Sequence, residues 1–427
     1  MKAAIRFEVV ALPSNAPLPD GLDITDEQFH PFLVFGIVVY GGEKSVRVFA
    51  DGVKNLPDAA IGADLAVNAA NNAFWSHWCP AEASDGLLGD RAAALRTVHA
   101  DPVLLTAAGL PGPNQANIVF VDTGLPSSLI PKHGFKGWCV LEDPGLALKD
   151  VKTRCPGAPL SPHGEMVARN AYAIASIPNA PNRLRLLDCP VIPDGITNLP
   201  VFLSSVTAAL FQVLAVIAFS RTSDPKAGWV ICNAWSVFNP TLESSELPYS
   251  NNPNHPIAEA LRLLNAIGAD VVFAAGNCGE FCPDPRCSPS AIGPSRSING
   301  ANALKQVLTV GAVRIDRLWL GYSGQGPGVT GMEHDKPDIC APSQFESDDL
   351  PGRNTGTSAA CGLAAGAVAL FRTKWVHSKL DPDQLADKIR YYAQRYGPDA
   401  WQDRTGHGIL DLAATARNLA DSQSNPP

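Results

Sequence analysis

Four short stretches of the sequence carry side chains that together could hydrolyse an acyl bond. In chain order they supply a carboxylate at Asp122, an imidazole at His163, an amide at Asn277 and a hydroxyl at Ser358. A serine hydroxyl is a weak nucleophile and needs a neighbouring base, and an amide can donate a hydrogen bond to the oxyanion that forms. These four groups, in this order, favour an enzyme that cuts peptide bonds.

The elements predicted around these residues place each of them at the end of a strand or the start of a helix. Asp122 follows an apolar β-branched strand, and Asn277 follows another through Gly276. His163 opens one helix, and Ser358 opens a second that is dense in alanine and glycine. Taken singly, such residues are more often turn formers, helix caps or surface histidines. Because active groups collect beyond the carboxyl ends of parallel strands, the combination predicts one site.

The hydrophobic pattern from residue 117 onward alternates between strands and helices. Such alternation predicts an α/β fold with a mostly parallel central sheet and helices on both faces. The predicted strands are 117–121, 185–187, 229–233, 270–275 and 307–313, and the predicted helices are 163–177, 206–220, 257–267, 358–372, 383–393 and 412–419.

In order and approximate spacing, Asp122, His163, Asn277 and Ser358 resemble the subtilisin-like serine proteases (subtilases). The resemblance covers roughly 115–420 and includes three segments that look structural in that family, at 307–312, 336–342 and 406–411. It implies the subtilase fold and endopeptidase chemistry. Ser358 would attack the carbonyl, His163 would carry its proton to the leaving amine, and Asp122 would orient the imidazole. The Asn277 side chain and the Ser358 N–H would bind the oxyanion.

The same resemblance implies where a substrate binds. In subtilases the substrate adds as a strand beside two chain segments that line the first specificity pocket. One segment is similar to Ala274, Ala275 and Gly276, and the other to Trp235 and Ser236. The family commonly has Ser-Leu-Gly in the second segment, so Trp235 could reshape or block the pocket.

Two further positions depart from the family pattern. Glu165 stands where threonine usually follows His-Gly, and Gly362 stands where proline is usual after the serine. These departures leave an alternative open, a catalytically weak or regulated subtilase scaffold that binds peptides or a partner protein. An α/β esterase is disfavoured, because that class needs Gly-x-Ser-x-Gly and a histidine late in the chain.

The domain organisation follows from these patterns. We predict an N-terminal accessory or prosegment-like region at 1–112 with a small α+β structure, a subtilisin-like peptidase domain at 113–420 and a flexible tail at 421–427. Within the first region we predict strands at 3–12 and 32–40, a turn at 41–43 into 45–50, a helix at 64–74 and a connector at 102–113. This region could bind a regulatory protein.

Three cysteines that follow Asn277 allow three structural interpretations. Cys278, Cys282 and Cys287 could bind zinc with a fourth ligand, form a disulfide with one free thiol, or lie in a plain loop near the substrate cleft. The remaining cysteines that we assign lie in apolar runs and are predicted to be small buried residues; they are Cys139, Cys189, Cys232, Cys340 and Cys361.

The amino-acid composition limits the classes of partner that the protein could bind. The formal charge of −8 offers no basic surface for nucleic acid, and we assign no metal ligands, calcium loop or cofactor. The apolar stretch 199–219 is near spanning length, but Pro200 and four polar residues favour a buried helix over a membrane span. The N-terminus lacks the apolar core of a secretory signal, so we predict a cytoplasmic protein acting on protein or peptide substrates, with export as the alternative.

Overall fold

The structure is a computed structural model. It describes residues 10–11, 29–34, 37–42, 61–63, 89–130, 157, 159, 161–175, 177, 183–192, 199–349, 353–398 and 400–424. The strands are β1 Val10–Ala11, β2 Phe29–Val34, β3 Ile37–Gly42, β4 Ile61–Ala63, β5 Ala116–Asp122, β6 Leu184–Pro190, β7 Gly228–Asn233, β8 Trp235–Val237, β9 Asp270–Ala274, β10 Leu308–Val313, β11 Ile339–Pro342, β12 Phe345–Glu346 and β13 Arg353–Asn354. The α-helices are α1 Arg91–Thr97, α2 Pro102–Ala107, α3 His163–Ala175, α4 Leu199–Ser223, α5 Pro256–Ala266, α6 Gly356–Arg372, α7 Pro382–Tyr392 and α8 Leu412–Ser424.

The central sheet has six parallel strands in the order β11-β10-β9-β7-β5-β6. Strands β5, β7, β9 and β10 are buried along their whole length, which explains why each reads as a continuous apolar run rather than an alternating one. Since the strands run in parallel, the turns after β5 and β9 open at the same edge of the sheet. Asp122 and the segment that leads to Asn277 lie at this edge.

Helices cover both faces of the sheet. On one face α3 and α6 pack with α1 and the inward side chains of β5, β7 and β10. On the other face α4 and α5 pack against Val119, Ile231 and Phe273. The fold predicted from the sequence, a subtilisin-like α/β architecture with helices on both faces, is therefore confirmed.

Helix α4 corresponds to the apolar stretch that resembles a membrane span. Its segment Phe202–Ser223 is long and apolar enough to cross a membrane, yet most of it is buried inside the protein. Phe202, Val206 and Leu210 are inaccessible to solvent and pack against the sheet. The prediction of a buried core helix at this position is confirmed.

The N-terminal part differs from the sequence prediction in its details. The single strand predicted over 32–40 is two antiparallel strands, β2 and β3, with Val34 opposite Ile37. Gly41 and Gly42 continue β3 opposite His30 and Phe29, so the predicted turn does not begin at residue 41. The segments 43–50 and 64–74 lie outside the described residues.

Residues 90–112 pack into the same core as the peptidase domain. The predicted connector contains helix α2, and Ala94, Val98 and Leu105 are inaccessible to solvent within the core that α6 shares. Leu412 N donates to the carbonyl oxygen of Val98, which ties α1 to the start of α8. Helix α8 continues to Ser424, three residues beyond the predicted start of the tail at 421.

Candidate active site

The predicted acid, Asp122, and the predicted base, His163, lie side by side at the carboxyl end of β5. His163 Nδ1 donates to Asp122 Oδ1 at 2.7 Å, and each residue is 1% exposed. Asp122 Oδ1 also accepts from Thr123 N at 2.6 Å. A carboxylate that accepts from Nδ1–H holds the imidazole in the tautomer whose Nε2 is free to take a proton. His163 Nε2 has no hydrogen-bond partner among the described residues.

A glycine and a threonine bring the histidine to the aspartate. Gly164 N donates to Thr123 Oγ1 at 3.1 Å, which fixes the first turn of α3 against the turn after β5. A Cβ on Gly164 would come within 2.6 Å of the Gly124 carbonyl oxygen and within 3.2 Å of Asp122 Oδ1. The His-Gly pair is therefore required sterically, because a larger residue would push the helix away from the acid.

The amide of Asn277 is held by its oxygen, which leaves its nitrogen for another partner. Asn277 Oδ1 accepts from Thr357 N at 3.0 Å and from Thr357 Oγ1 at 3.2 Å. Thr357 Oγ1 in turn accepts from Gly276 N at 3.1 Å. Asn277 Nδ2 is buried and has no hydrogen-bond partner within the described part of the chain. The Asn277 Nδ2 donor is thus fixed beside Thr357, the residue that precedes Ser358.

Ser358 lies in the first turn of α6, which begins at Gly356 with a φ of 74°. Its hydroxyl donates to the carbonyl oxygen of Ala234 at 3.2 Å, and the side chain is buried. The hydrogen bond from the hydroxyl to His163 Nε2 is not formed in this conformation. Such bonds are often long or unformed without substrate, and a change of the serine rotamer redirects the hydroxyl.

The two segments predicted to bind substrate lie against each other. Gly276 has a φ of 91°, and a Cβ on it would come within 2.8 Å of Ser236 Oγ. Ala274 and Ala275 are buried at the end of β9. β8 pairs antiparallel with β4, and Ser236 lies opposite Gly62 in that pair.

The three departures from the family pattern have structural explanations. The Trp235 indole is buried among Phe202, Tyr249 and Phe273, so it does not reach a surface pocket. Glu165 accepts from Arg169 Nε at 2.8 Å and Nη2 at 2.6 Å within α3, which pairs its carboxylate with a cation. A Cβ on Gly362 would come within 2.5 Å of the Val167 carbonyl oxygen, so glycine lets α6 approach α3.

The cysteine loop after Asn277 is closed by a disulfide between Cys278 and Cys287. Cys282 is also disulfide-bonded. The interpretation that included a disulfide is therefore confirmed, but the free thiol expected with it is wrong. Since the sulfurs of Cys278, Cys282 and Cys287 are all disulfide-bonded, none of the three can serve as a zinc ligand. Across the described ranges, no group of three or more His, Cys, Asp or Glu side chains could hold a metal ion.

Within the described ranges, four cysteines are free and buried: Cys189, Cys232, Cys340 and Cys361. Burial raises the pKa of Cys232, with a further contribution from the Cys361 thiol 3.8 Å away. All four were predicted to be small buried residues, and this is confirmed; Cys139 lies outside the described residues.

Three residues near the site were missed by the sequence reasoning. Asn302 and Asn299 hold the backbone of β8 through their amides. Arg91 donates to Asn170 of α3 at 3.0 Å and to Asp349 at 2.6 Å, which ties the N-terminal connection to the helix of His163. Their contacts join residues far apart in the sequence, so no spacing pattern marks them.

A comparison with protein families gives a direct match. The sequence model described as "Subtilase family" matches residues 205–408. This stretch of the chain belongs to the subtilase family. The matched stretch contains Asn277, Ser358 and both predicted substrate segments, whereas Asp122 and His163 precede it. The predicted resemblance to the subtilisin-like serine endopeptidases is thus confirmed over this stretch. No curated protein matches the chain.

Solved structures with the same fold include two that are described as MycP1. The subtilase is similar to MycP1 from Mycobacterium smegmatis, with 18% identity, a TM-score of 0.50, and coverage of 84% of this chain and 90% of that one. It is also similar to a structure described as a serine protease MycP1, an essential component of the type VII (ESX-1) secretion system. There the identity is 19%, the TM-score 0.51, and the coverage 85% of this chain and 97% of that one. At this identity the likeness establishes the fold alone.

Proposed function

We propose that this subtilase hydrolyses peptide bonds with Ser358 as nucleophile, His163 as general base and Asp122 as the acid that orients the imidazole. The observation that carries the proposal is the 2.7 Å bond between His163 Nδ1 and Asp122 Oδ1, with His163 Nε2 left unpaired within the described ranges. Asp122 also stabilises the imidazolium that forms when His163 takes the serine proton. The proton then passes from Nε2 to the leaving amine.

The packing of α3 against α6 supports the approach of serine to histidine. Gly362 lies against Val167, and Gly366 lies against Ala171, since a Cβ on Gly366 would come within 2.2 Å of the Ala171 carbonyl oxygen. The two helices therefore run parallel, and the contact advances by four residues on each. One turn closer to the N-termini, the same register brings Ser358 opposite His163. Both residues lie in the first turn of their helices.

We assign the oxyanion donors to Asn277 Nδ2 and the Ser358 backbone N–H. The bonds from Thr357 to Asn277 Oδ1 leave the amide nitrogen as a fixed donor beside the serine. The N-terminus of α6 adds a partial positive charge at the same place. Donors that are already oriented stabilise the developing negative charge without reorganising during the reaction.

We assign the substrate-binding edge to the backbone of β8 and of Ala274, Ala275 and Gly276. The close contact between Gly276 and Ser236 supports this arrangement. An extended peptide that adds beside Ser236 would use backbone hydrogen bonds for affinity and leave its side chains to pockets. The indole of Trp235 points into the core, so it contributes to this edge through its backbone.

We further propose that the N-terminal region regulates access to this edge. Ile61–Ala63 pairs with Trp235–Val237 as an antiparallel strand, which is the place assigned to the substrate. Asp122, His163, Asn277 and Ser358 are all buried. The segment 61–63 would have to leave before a substrate could bind, whether it is cut away as a prosegment or displaced by a regulatory protein.

The cellular location also belongs to this proposal. Disulfides persist in oxidising compartments and are rare in the cytoplasm. The bond between Cys278 and Cys287 therefore supports the exported alternative over the cytoplasmic one. Alkylation of the freshly isolated protein without reduction tests this. We expect Cys278 and Cys287 to be unmodified, and their alkylation would contradict an exported location.

A fluorophosphonate probe tests the catalytic assignment. We expect the probe to label the wild-type protein at Ser358, as mapped by mass spectrometry, and to label neither Ser358→Ala nor His163→Ala at a comparable rate. The intact mass of each protein should be recorded, because loss of the N-terminal region would reveal processing. Labelling of another serine, or equal labelling of His163→Ala, would contradict the proposal.

A further inference from the structure

The edge assigned to the substrate is a strand of three residues, and among the described strands it pairs with β4 and with none of the central sheet. Its inner side is instead held by two side chains. Asn302 Nδ2 donates to the carbonyl oxygen of Trp235 at 3.0 Å, and Asn299 Nδ2 donates to that of Val237 at 3.2 Å. Backbone groups of alternate residues point to opposite edges of a strand. The carbonyls at 235 and 237 therefore point inward, and Ser236 faces outward toward Gly62.

The Asn302 amide also reaches the second predicted substrate segment. Its nitrogen lies 2.6 Å from the carbonyl oxygen of Ala274, the last residue of β9. An amide nitrogen carries two hydrogens, so one can serve the Trp235 carbonyl and the other the Ala274 carbonyl. A single side chain thus sets the separation of the two segments that flank the first specificity pocket.

The short helical turn that contains Asn302, with Asn299 as its N-cap residue, is itself held rigidly. It runs over Gly300–Ala303, and Ala301 N donates to Tyr249 Oη at 2.9 Å. Gly300 N donates to the Ser250 carbonyl oxygen at 2.7 Å. Thr309 Oγ1 donates to the Asn302 carbonyl oxygen at 2.6 Å, which ties the turn to β10. Both asparagine side chains are buried, so their positions depend on these contacts and not on solvent.

We propose that Asn302, supported by Asn299, is a positioning residue that holds the two substrate-binding segments at the spacing an extended peptide requires. The inference rests on the proposed function, because it takes β8 and Ala274–Gly276 as the substrate edge. Asn302 acts through the backbones of Trp235 and Ala274 and does not touch the reacting atoms. Its loss should weaken the binding of extended peptides more than it weakens the chemistry at Ser358.

The test compares an extended peptide substrate with a small fluorophosphonate probe that does not need the strand edge. For Asn302→Ala and the shape-matched Asn302→Asp, which lacks the two donors, we expect KM for the peptide to rise by about tenfold or more. We expect kcat and the labelling rate at Ser358 to stay within about threefold of wild type. Asn299→Ala, which removes one bond, should raise KM less. It also keeps the proposal testable if the Asn302 variants fail to fold.

The matched control is Asn117→Ala. Asn117 is also buried and donates to a backbone carbonyl, that of Gly228 at 3.2 Å, but it lies at the opposite end of the sheet. We expect this variant to lose stability without a change in KM. A fall in peptide hydrolysis and labelling by the same factor in the Asn302 variants would overturn the proposal, since it would indicate a general structural role. Unchanged KM would overturn it as well.

A binding measurement separates this inference from the catalytic proposal. Calorimetric titration of the extended peptide into Ser358→Ala, with and without Asn302→Asp, requires no turnover. We expect the second substitution to raise the peptide Kd by about tenfold. If wild-type protein is not labelled at Ser358 but Asn302→Asp still weakens binding, the catalytic proposal fails and the positioning role stands. Equal Kd values in the two proteins would refute the positioning role alone.

Discussion

Replacement of Asn277 by alanine separates the oxyanion donor from the structural bonds of the same side chain. Asn277 Nδ2 has no hydrogen-bond partner among the residues that the structure describes, whereas Asn277 Oδ1 accepts two hydrogen bonds from Thr357. Removal of one oxyanion donor lowers kcat by about 10²–10³, or roughly 2.7–4 kcal/mol of transition-state stabilisation. Asn277→Ala also removes the two buried hydrogen bonds that Asn277 Oδ1 accepts from Thr357, and this loss lowers the free energy of unfolding by about 1–3 kcal/mol.

Thr357→Val is the matched control for this loss of stability. It removes the bonds that Thr357 Oγ1 makes with Asn277 and Gly276 but keeps the Asn277 amide in the protein. We expect it to lower stability by about 1–2 kcal/mol while kcat changes by less than about tenfold.

The assay measures kcat and KM on a chromogenic peptide, together with urea unfolding, for wild type and both variants. The account predicts a kcat deficit in Asn277→Ala that far exceeds the deficit in Thr357→Val at similar loss of stability. The reasoning is refuted if Asn277→Ala keeps kcat within about threefold of wild type, or if both variants lose kcat equally.

Three further predictions follow from other parts of the molecule. Burial lowers the pKa of His255 from 6.5 to about 3, so the folded state binds fewer protons than the unfolded chain. The contribution of neutral His255 to the free energy of unfolding is complete above pH 6.5 and falls by about 2 kcal/mol at pH 5. In urea unfolding, His255→Asn should therefore lose less free energy of unfolding than wild type between pH 7 and 5. An identical loss in the two proteins would contradict the assignment. Breaking the Cys278–Cys287 disulfide by Cys278→Ser should lower the free energy of unfolding by about 2–3 kcal/mol, and an unchanged midpoint in urea would oppose this. Gly62→Pro should weaken the pairing with Ser236 and raise peptide hydrolysis, whereas unchanged or lower activity would argue against a covering role for this strand.

The architecture was largely predictable because buried parallel strands and the helices between them leave strong local patterns. The strands that end near Asp122 and Asn277, and the helices that begin at His163 and near Ser358, lie within a few residues of their predicted bounds. The order of the four groups could be read from the chain because each follows a recognisable strand end or helix start.

The supporting contacts could not be predicted in this way. Asn302 reaches Trp235 and Ala274 across 67 and 28 residues, and Arg91 reaches Asp349 across 258. Such bonds depend on tertiary distances, and an asparagine on a short turn carries no periodic signal. The burial of Trp235 was missed for the same reason, since its sequence position alone suggested a pocket residue.

The predicted single strand over 32–40 was wrong for a different reason. A continuous apolar run over 32–40 reads as one strand, but the structure divides this region between β2 and β3. The sequence between them is Phe35-Gly36, and a single glycine inside an apolar run is also compatible with a bulge in one continuous strand.

The central claim is that four distant side chains converge on one reacting carbon. A crystal structure of the protein with a peptide boronate inhibitor measures this directly. The account predicts a boron–oxygen bond to Ser358 Oγ and His163 Nε2 within about 2.6–3.2 Å of that oxygen. It also predicts a boronate oxygen about 2.7–3.1 Å from Asn277 Nδ2. A boronate bound elsewhere, or an imidazole that stays turned away from Ser358 in the bound state, would contradict the account.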